Sequence, residues 1–503
     1  MKSLISIPAS YFPQFQELYV ISDLHLGGAA GFQIFNAGPE LAKFVLHLRE
    51  KDPEKKIALL INGDLVDFLA ENNALPFDPA NAITKLNRII HDPAFNQVWL
   101  VLQQWVATPN RSLIITLGNH DLELALPWVQ SCLLHYLAQD NEAALGRITL
   151  AFEGAGFKCR VGNAQVLCLH GNEVDEWNIA DYEIIRRIGR DVLQGRPVES
   201  WIPNAGTQLV IQIMNSLKSR YPFIDLLKPE AQAVLPTLLA LDPKQQDKIR
   251  PIAATARRLL WDKVKIATGF LGKEEQETVQ EIPLTDVATL AIYNSDGDNL
   301  SKSAKDANEQ KKYTLELLDI TEERLQNKVN PVTLIEPDLL SRDLGFTAAF
   351  IKLIRGEDRS EVLREALEKL QEDRSFDLKC KDLTFYRLDE QIGDEIDFII
   401  AGHTHLERAL PRQKQKGWYY NSGTWVQLIQ LEKEVLQNKI TFGQAFNAFK
   451  TGTMEALQPY LQKRLTVVAI TYNGHTTLGQ LQHVQLDTAG NLVLTSVPES
   501  QSN

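Results

Sequence analysis

The stretch "TLGNHDLEL", Thr116–Leu124, closes an apolar run that begins at Leu113. Aliphatic and β-branched residues over Leu113–Leu117 predict a buried strand. Gly118 ends it, and Asn119, His120 and Asp121 follow with no spacer. These are three adjacent polar groups of kinds that bind cations or carry protons. The same event occurs four more times. "YVISDLH" delivers Asp23 and His25, and "ALLINGDLVD" delivers Asp64 and Asp67. "VLCLHG" delivers His170, and "DFIIAGHTH" delivers His403 and His405. Open α/β sheets bind ligands beyond the carboxyl ends of their strands. Five such endings at one sheet edge would therefore gather Asp, Asn and His side chains together. Gly63, Gly118, Gly171 and Gly402 permit tight turns and close backbone approach beside them. Carboxylate, imidazole and amide without thiolate suit two divalent ions of the Mn, Fe or Zn type, and suit copper or iron–sulfur poorly. Taken singly, each residue has a plainer reading, since Asp at a strand end is commonly a turn former or cap. It is the ordered set of five that points to a site.

Working outward, strands alternate with helices in the first part of the chain. "ELYVIS", "KKIALLIN" and "RSLIITL" read as strands, and "PELAKFVLHLREK" and "FNQVWLVLQQWVA" have helical spacing. This βαβαβ rhythm implies a largely parallel sheet with helices on its faces. "FKCRVGNAQVLCLH" reads as a β-hairpin turning at Gly162-Asn163. From about residue 178 the pattern becomes helical, in "DYEIIRRIGRDVLQ", "GTQLVIQIMNSLKSR", "PIAATARRLLWDKVKIA", "YTLELLDITEERLQ" and "SEVLREALEKLQE". A polar stretch, residues 294–312, predicts a mobile loop. Strands resume with "DFIIAG" and "WYYNSGTWVQL", and "RLTVVAITYN" and "NLVLTSV" read as closing strands. The expected organisation is a core over 1–177, a helical insertion or cap over 178–390, and a second core part over 391–503 with a helical excursion near 432–463.

Composition bounds the function. The chain has 503 residues, 44% hydrophobic and 23% charged, as expected of a globular protein with more than one core. A net charge of −12 argues against a general nucleic-acid binder, whose affinity rests on Lys and Arg against phosphate. A metal site can still bind an anionic substrate under an acidic surface. Four cysteines without a C-x-x-C pair suggest free thiols in a reducing compartment. "MKSLISIPASYF" makes a poor signal peptide, and no apolar run reaches membrane-spanning length. Cytoplasmic localisation is the simplest expectation.

The ordered motifs "SDLH", "NGDLVD", "GNHD", "HG" and "GHTH" resemble those of the calcineurin-like metallophosphoesterases, over roughly residues 15–175 and 395–430. The resemblance implies an α/β fold, a β-sandwich flanked by helices, here with a large mainly helical insertion. It implies a two-metal centre: Asp23, His25, Asp64 and His405 on one ion, and Asp64, Asn119, His170 and His403 on the other. Two metals about 3.5–4 Å apart would generate a hydroxide nucleophile and stabilise the phosphoryl oxygens. His120 would then protonate the leaving group, with Asp67 orienting its imidazole and Asp121 a second candidate for that task. Arg408, Asp175 and Trp177 are candidate substrate contacts. The second motif lacks the Arg-Gly of phosphoprotein phosphatases, and the third keeps His120 where the UDP-diacylglucosamine pyrophosphohydrolases commonly have Arg. The implied function is hydrolysis of a small-molecule or lipid-linked phosphoester. The alternatives are a vestigial scaffold acting as an interaction module, and a nuclease or pyrophosphohydrolase of the same fold. His47, His91, His135, His475 and His483 lack motif context and are expected to be structural or solvent-facing.

Overall fold

In this computed structural model, residues 7–31, 33–175, 178–198, 357–369 and 376–502 are described, with scattered positions between 201 and 352. The helical segments expected at 251–267 and 313–326, most of that at 206–220, and the polar stretch at 294–312 lie outside the described residues. Among the described residues, no helix is long and apolar enough to cross a membrane.

In chain order the strands are β1 (Gln14–Phe15), β2 (Glu17–Ile21), β3 (Ile57–Asn62), β4 (Arg111–Thr116), β5 (Ile148–Ala151), β6 (Phe157–Val161), β7 (Ala164–Cys168), β8 (Phe398–Ala401), β9 (Arg408–Pro411), β10 (Trp418–Asn421), β11 (Leu428–Ile429), β12 (Leu461–Gln462), β13 (Leu465–Tyr472), β14 (Thr477–Leu486) and β15 (Leu492–Ser496). One sheet has the order β15-β14-β13-β2-β3-β4-β5 and another β1-β6-β7-β8-β10-β9. In the first, β2 to β5 pair in parallel and β13 to β15 are antiparallel. Strands β2 and β3 are buried at every residue. That is the signature of parallel strands covered on both faces.

On one face lie helices. The helix Asn96–Ala107 buries Val98, Trp99, Leu102 and Trp105, and Trp105 Nε1 donates to the Ser112 carbonyl at 2.9 Å, tying helix to β4. On the other face lies the second sheet. Leu18, Val20, Leu60 and Ile114 of the first sheet share one apolar cluster with Val166, Phe398, Ile400 and Tyr420 of the second. The result is a sandwich of two mixed sheets flanked by helices.

This corrects the expectation of a single sheet edge. Strands β2, β3 and β4 end in the first sheet, whereas β7 and β8 end in the second. Strand β7 pairs with β8 in parallel, Val166 opposite Phe398. The βαβ rhythm reports parallel pairing within a run. It does not reveal that the hairpin β6–β7 starts a new sheet. That hairpin forms as expected, with Gly162 at φ +57° in its turn. Cys159 faces Val166 and Cys168 faces Phe157, so the two thiols are not paired across the hairpin, and all four cysteines are free.

The chain divides into two compact units. The first comprises Met1–Ser219, Ser375–Leu428 and Gln462–Asn503, and contains both sheets described above. The second comprises Arg220–Arg374 and Ile429–Leu461. In the second, the helices Arg359–Lys369 and Lys439–Thr451 are described, Arg364 bonds Glu361, Glu368 and the Leu436 carbonyl, and Phe223 stacks on Phe449 at 5.2 Å.

Candidate metal centre

Each polar ending sits just past a buried strand, where the chain must turn sharply while its side chain points inward. The backbone records this. Ten non-glycine residues among those described have positive φ, and five of them are Asp23, His25, Asp64, His403 and His405. Such conformations cost roughly 1–3 kcal/mol each and persist where the surroundings over-determine them. Here the support is mutual: the amides of Leu24 and His25 donate to the Asp64 carbonyl, and the His403 amide donates to Asp23 Oδ2 at 3.1 Å.

The side chains converge. His25 Nε2 lies 3.1 Å from His405 Nε2, 3.6 Å from Asp64 Oδ2 and 4.0 Å from Asp23 Oδ1. His405 Nε2 is 3.3 Å from Asp23 Oδ1, and His170 Nε2 is 3.3 Å from Asp64 Oδ2. Three groups are close enough to hold a cation: Asp23 with His25 and His405, His25 with Asp64 and His120, and Asp23 with Asp64 and His170. The backbone approaches closely too. A Cβ on Gly118 would fall 2.1 Å from Asp64 Oδ1, which explains why no side chain stands there.

The donor set fits divalent cations. His170 Nδ1 is 2.7 Å from the Asn62 carbonyl, which only accepts, so that nitrogen carries the proton and Nε2 faces Asp64. The His25 Nδ1 likewise faces Asp67 Oδ2 at 3.3 Å, directing Nε2 toward the cluster. A carboxylate or carbonyl behind each imidazole is the arrangement that orients metal-binding histidines. Asn119 Oδ1 is buried without a hydrogen-bond partner among the described residues. The carboxylates of the cluster are held in their charged form. Burial raises the Asp23 carboxyl, but His405 and His170 more than offset this and hold it at about 2. Burial also raises Asp64, and His170, His120 and His25 pull it far below the usual range. Burial lowers the His170 imidazole, but Asp64, Asp23 and Glu173 push it up to about 10, so positive charge is favoured at that spot.

His120 is the most exposed imidazole of the cluster, with 18% of its side chain accessible. Its Nδ1 lies 3.2 Å from Asp67 Oδ1, and its amide donates to Asp64 Oδ1 at 2.9 Å. Asp121 is placed differently from the expectation: its two oxygens accept from the amides of Gly118 and Leu65, tying two motif loops together instead of facing the His120 ring. His403 lies beside the cluster, its ring 5.4 Å from that of His170, with Nε2 2.8 Å from Asp175 Oδ2. Asp175 also accepts from Asn178. Arg408 is buried and directs its guanidinium to Asp382 and to the carbonyls of Asp377 and Glu407. Trp177 lies outside the described residues. Of the histidines without motif context, His483 packs at 2.6 Å from Glu407, two residues beyond His405.

Residues that carry no motif signal complete the surroundings. Glu173 accepts from the amides of His170 and Gly171, and Asn421 donates to the Gly402 carbonyl. Their only mark in the sequence is nearness to a motif. The model of the calcineurin-like phosphoesterase family matches residues 17–221, and no curated protein matches the chain.

Proposed function

Residues 17–221 belong to the calcineurin-like phosphoesterase family, and on that premise we propose that the protein is a two-metal-dependent phosphoester hydrolase. The observation that carries this is the Asp64 carboxylate, set between His25 and His170 while Asp23 and His405 stand beside it. One ion would be held by Asp23, His25, Asp64 and His405, and the other by Asp64, Asn119, His170 and His403. Divalent cations of the Mn, Fe or Zn class supply, when bound, Lewis acidity toward phosphoryl oxygens and a lowered water pKa.

The chain's own residues do the rest. His120 stands at the exposed side of the cluster, where it gives a proton to the leaving alkoxide. Asp67 holds the Nδ1 side of that ring, so the opposite nitrogen faces outward for the transfer. Water adds to phosphorus, the ester P–O bond breaks, and the products are an alcohol and a phosphate. The substrate class is a small-molecule or lipid-linked phosphoester, and the acidic balance disfavours nucleic acid. Four free thiols support a reducing compartment such as the cytoplasm.

Elemental analysis of purified protein together with a panel of aryl phosphate mono- and diesters tests the proposal. Two equivalents of transition metal and turnover abolished by a chelator are expected. Tight metal binding without turnover across the panel would instead identify an interaction scaffold.

A further inference from the structure

Beside the centre, a buried amide links β3 and β4 of one sheet to the ends of β7 and β8 of the other. Asn62 closes β3 and is fully buried. Its Nδ2 donates to the carbonyl of Leu169 at 2.7 Å and to that of Ile400 at 3.3 Å. Its Oδ1 accepts from Thr116 Oγ1 at 3.0 Å. Carbonyls only accept, so the amide has a single orientation that satisfies all three contacts. Its backbone carbonyl also accepts from His170 Nδ1 at 2.7 Å.

Each atom Asn62 touches lies just upstream of, or on, a residue of the centre. Asp64 follows Asn62 by two positions, Asn119 follows Thr116 by three, His170 follows Leu169 directly, and His403 follows Ile400 by three. Strands β3 and β4 belong to one sheet, and Leu169 and Ile400 to the ends of β7 and β8 in the other. Much of the sandwich interior is apolar, and apolar contacts are non-directional. Other buried polar links between the sheets, Ser22 to Ser422 and Tyr420 to the Gly479 carbonyl, lie at other strands. Hydrogen bonds from a buried amide are directional, and leaving one partner unmatched is costly.

We infer that Asn62 is a positioning residue: it sets the spacing of the two sheets at the centre and keeps His170 turned with Nε2 toward Asp64. The inference rests on the reading of the site as a cation centre. It makes Thr116 the partner that holds the amide in place.

The test uses the full-length chain with Asn62→Ala and Thr116→Val. The valine is isosteric and removes only the hydroxyl donor, so it remains informative if the alanine variant fails to fold. Two readouts are taken on folded protein: Mn²⁺ affinity by calorimetry, and the imidazole ¹⁵N signals of chelator-treated protein. Outer partners of metal-binding histidines are typically worth roughly 10–100-fold in affinity. Asn62→Ala keeps the backbone carbonyl that His170 uses and acts on its position by releasing the Leu169 and Ile400 carbonyls. A loss of that size for Asn62→Ala, a smaller one for Thr116→Val, and a shifted His170 signal in both are expected. Affinity within twofold of the parent together with an unchanged His170 signal overturns the inference. Failure of the parent itself to bind Mn²⁺ would strike the functional reading, and the His170 signal of the metal-free variants would still decide the role of Asn62.

Discussion

Asp67 stands between two imidazoles: Oδ2 is 3.3 Å from His25 Nδ1 and Oδ1 is 3.2 Å from His120 Nδ1. One carboxylate thus backs both a candidate metal ligand and the candidate acid. Burial raises its carboxyl, but His120 and His25 hold it well below the usual range, so it stays charged. Asp67→Asn should therefore damage two properties at once. Mn²⁺ affinity should fall roughly tenfold through His25, and kcat by about 10² through His120. Calorimetry and steady-state kinetics on the same preparation check this, and a variant that loses only one of the two would separate the roles.

His120→Ala should behave differently. Metal content should be retained, since the deleted ring leaves Asp23, His25, Asp64, His170 and His405 in place. The kcat should drop about 10²–10⁴-fold for an alkyl phosphate, whose leaving alkoxide needs a proton. For an aryl phosphate, whose phenolate leaves with less assistance, the loss should be smaller. Equal losses for the two substrates would remove His120 from the acid role.

What could be read from the sequence follows from how local each signal is. Strands β2, β3, β4, β7 and β8 are announced by short apolar runs that end in a polar motif, so their existence and their cargo were legible. The division into two sheets was not. It depends on β13 adding to β2 and on β8 adding to β7, pairings between segments hundreds of residues apart. Strand β14 buries Gly479, Leu481 and Val484, a spacing that breaks the period of two, so its sequence carries no clean strand signal. Asp67 as partner of His120 was legible through the motif. Its second contact, with His25, was not, because both of its oxygens are in use only once the loops after β2, β3 and β4 fold against each other.

Gly118 offers a steric test of the cluster. Its Cβ would collide with Asp64 Oδ1 at 2.1 Å and with the Asp64 amide at 2.5 Å, and the second is backbone that a rotamer change does not relieve. Overpacking of this kind typically costs about 1–3 kcal/mol. Gly118→Ala should lower the melting temperature modestly yet abolish stoichiometric metal binding, because the displaced group is the shared carboxylate. Gly146→Ala, where the nearest atom is 3.7 Å away, is the control and should leave metal content unchanged. Elemental analysis of both variants reads the difference.

Away from the site, Glu17 sets a pH dependence of stability. It opens β2 and is buried. Its carboxylate accepts from Lys51 at 2.8 Å, Lys55 at 2.9 Å and Tyr19 Oη at 2.8 Å. Burial pushes its carboxyl up, but these three partners more than offset that and lower it from 4.5 to about 2. A carboxyl depressed in the folded state adds stability that is fully present above its unfolded value and lost as pH falls toward the folded one. The window is therefore about pH 4.5 down to about 2. At 1.36 kcal/mol per unit the contribution at neutral pH is about 3 kcal/mol, reduced to about 2 by solvent screening at the more exposed Lys55. Glu17→Gln should cost that amount at pH 7, measured by denaturant unfolding. The gap between variant and parent should shrink steadily below pH 4.5, and a gap that stays constant down to pH 3 would show that the carboxylate's charge contributes nothing.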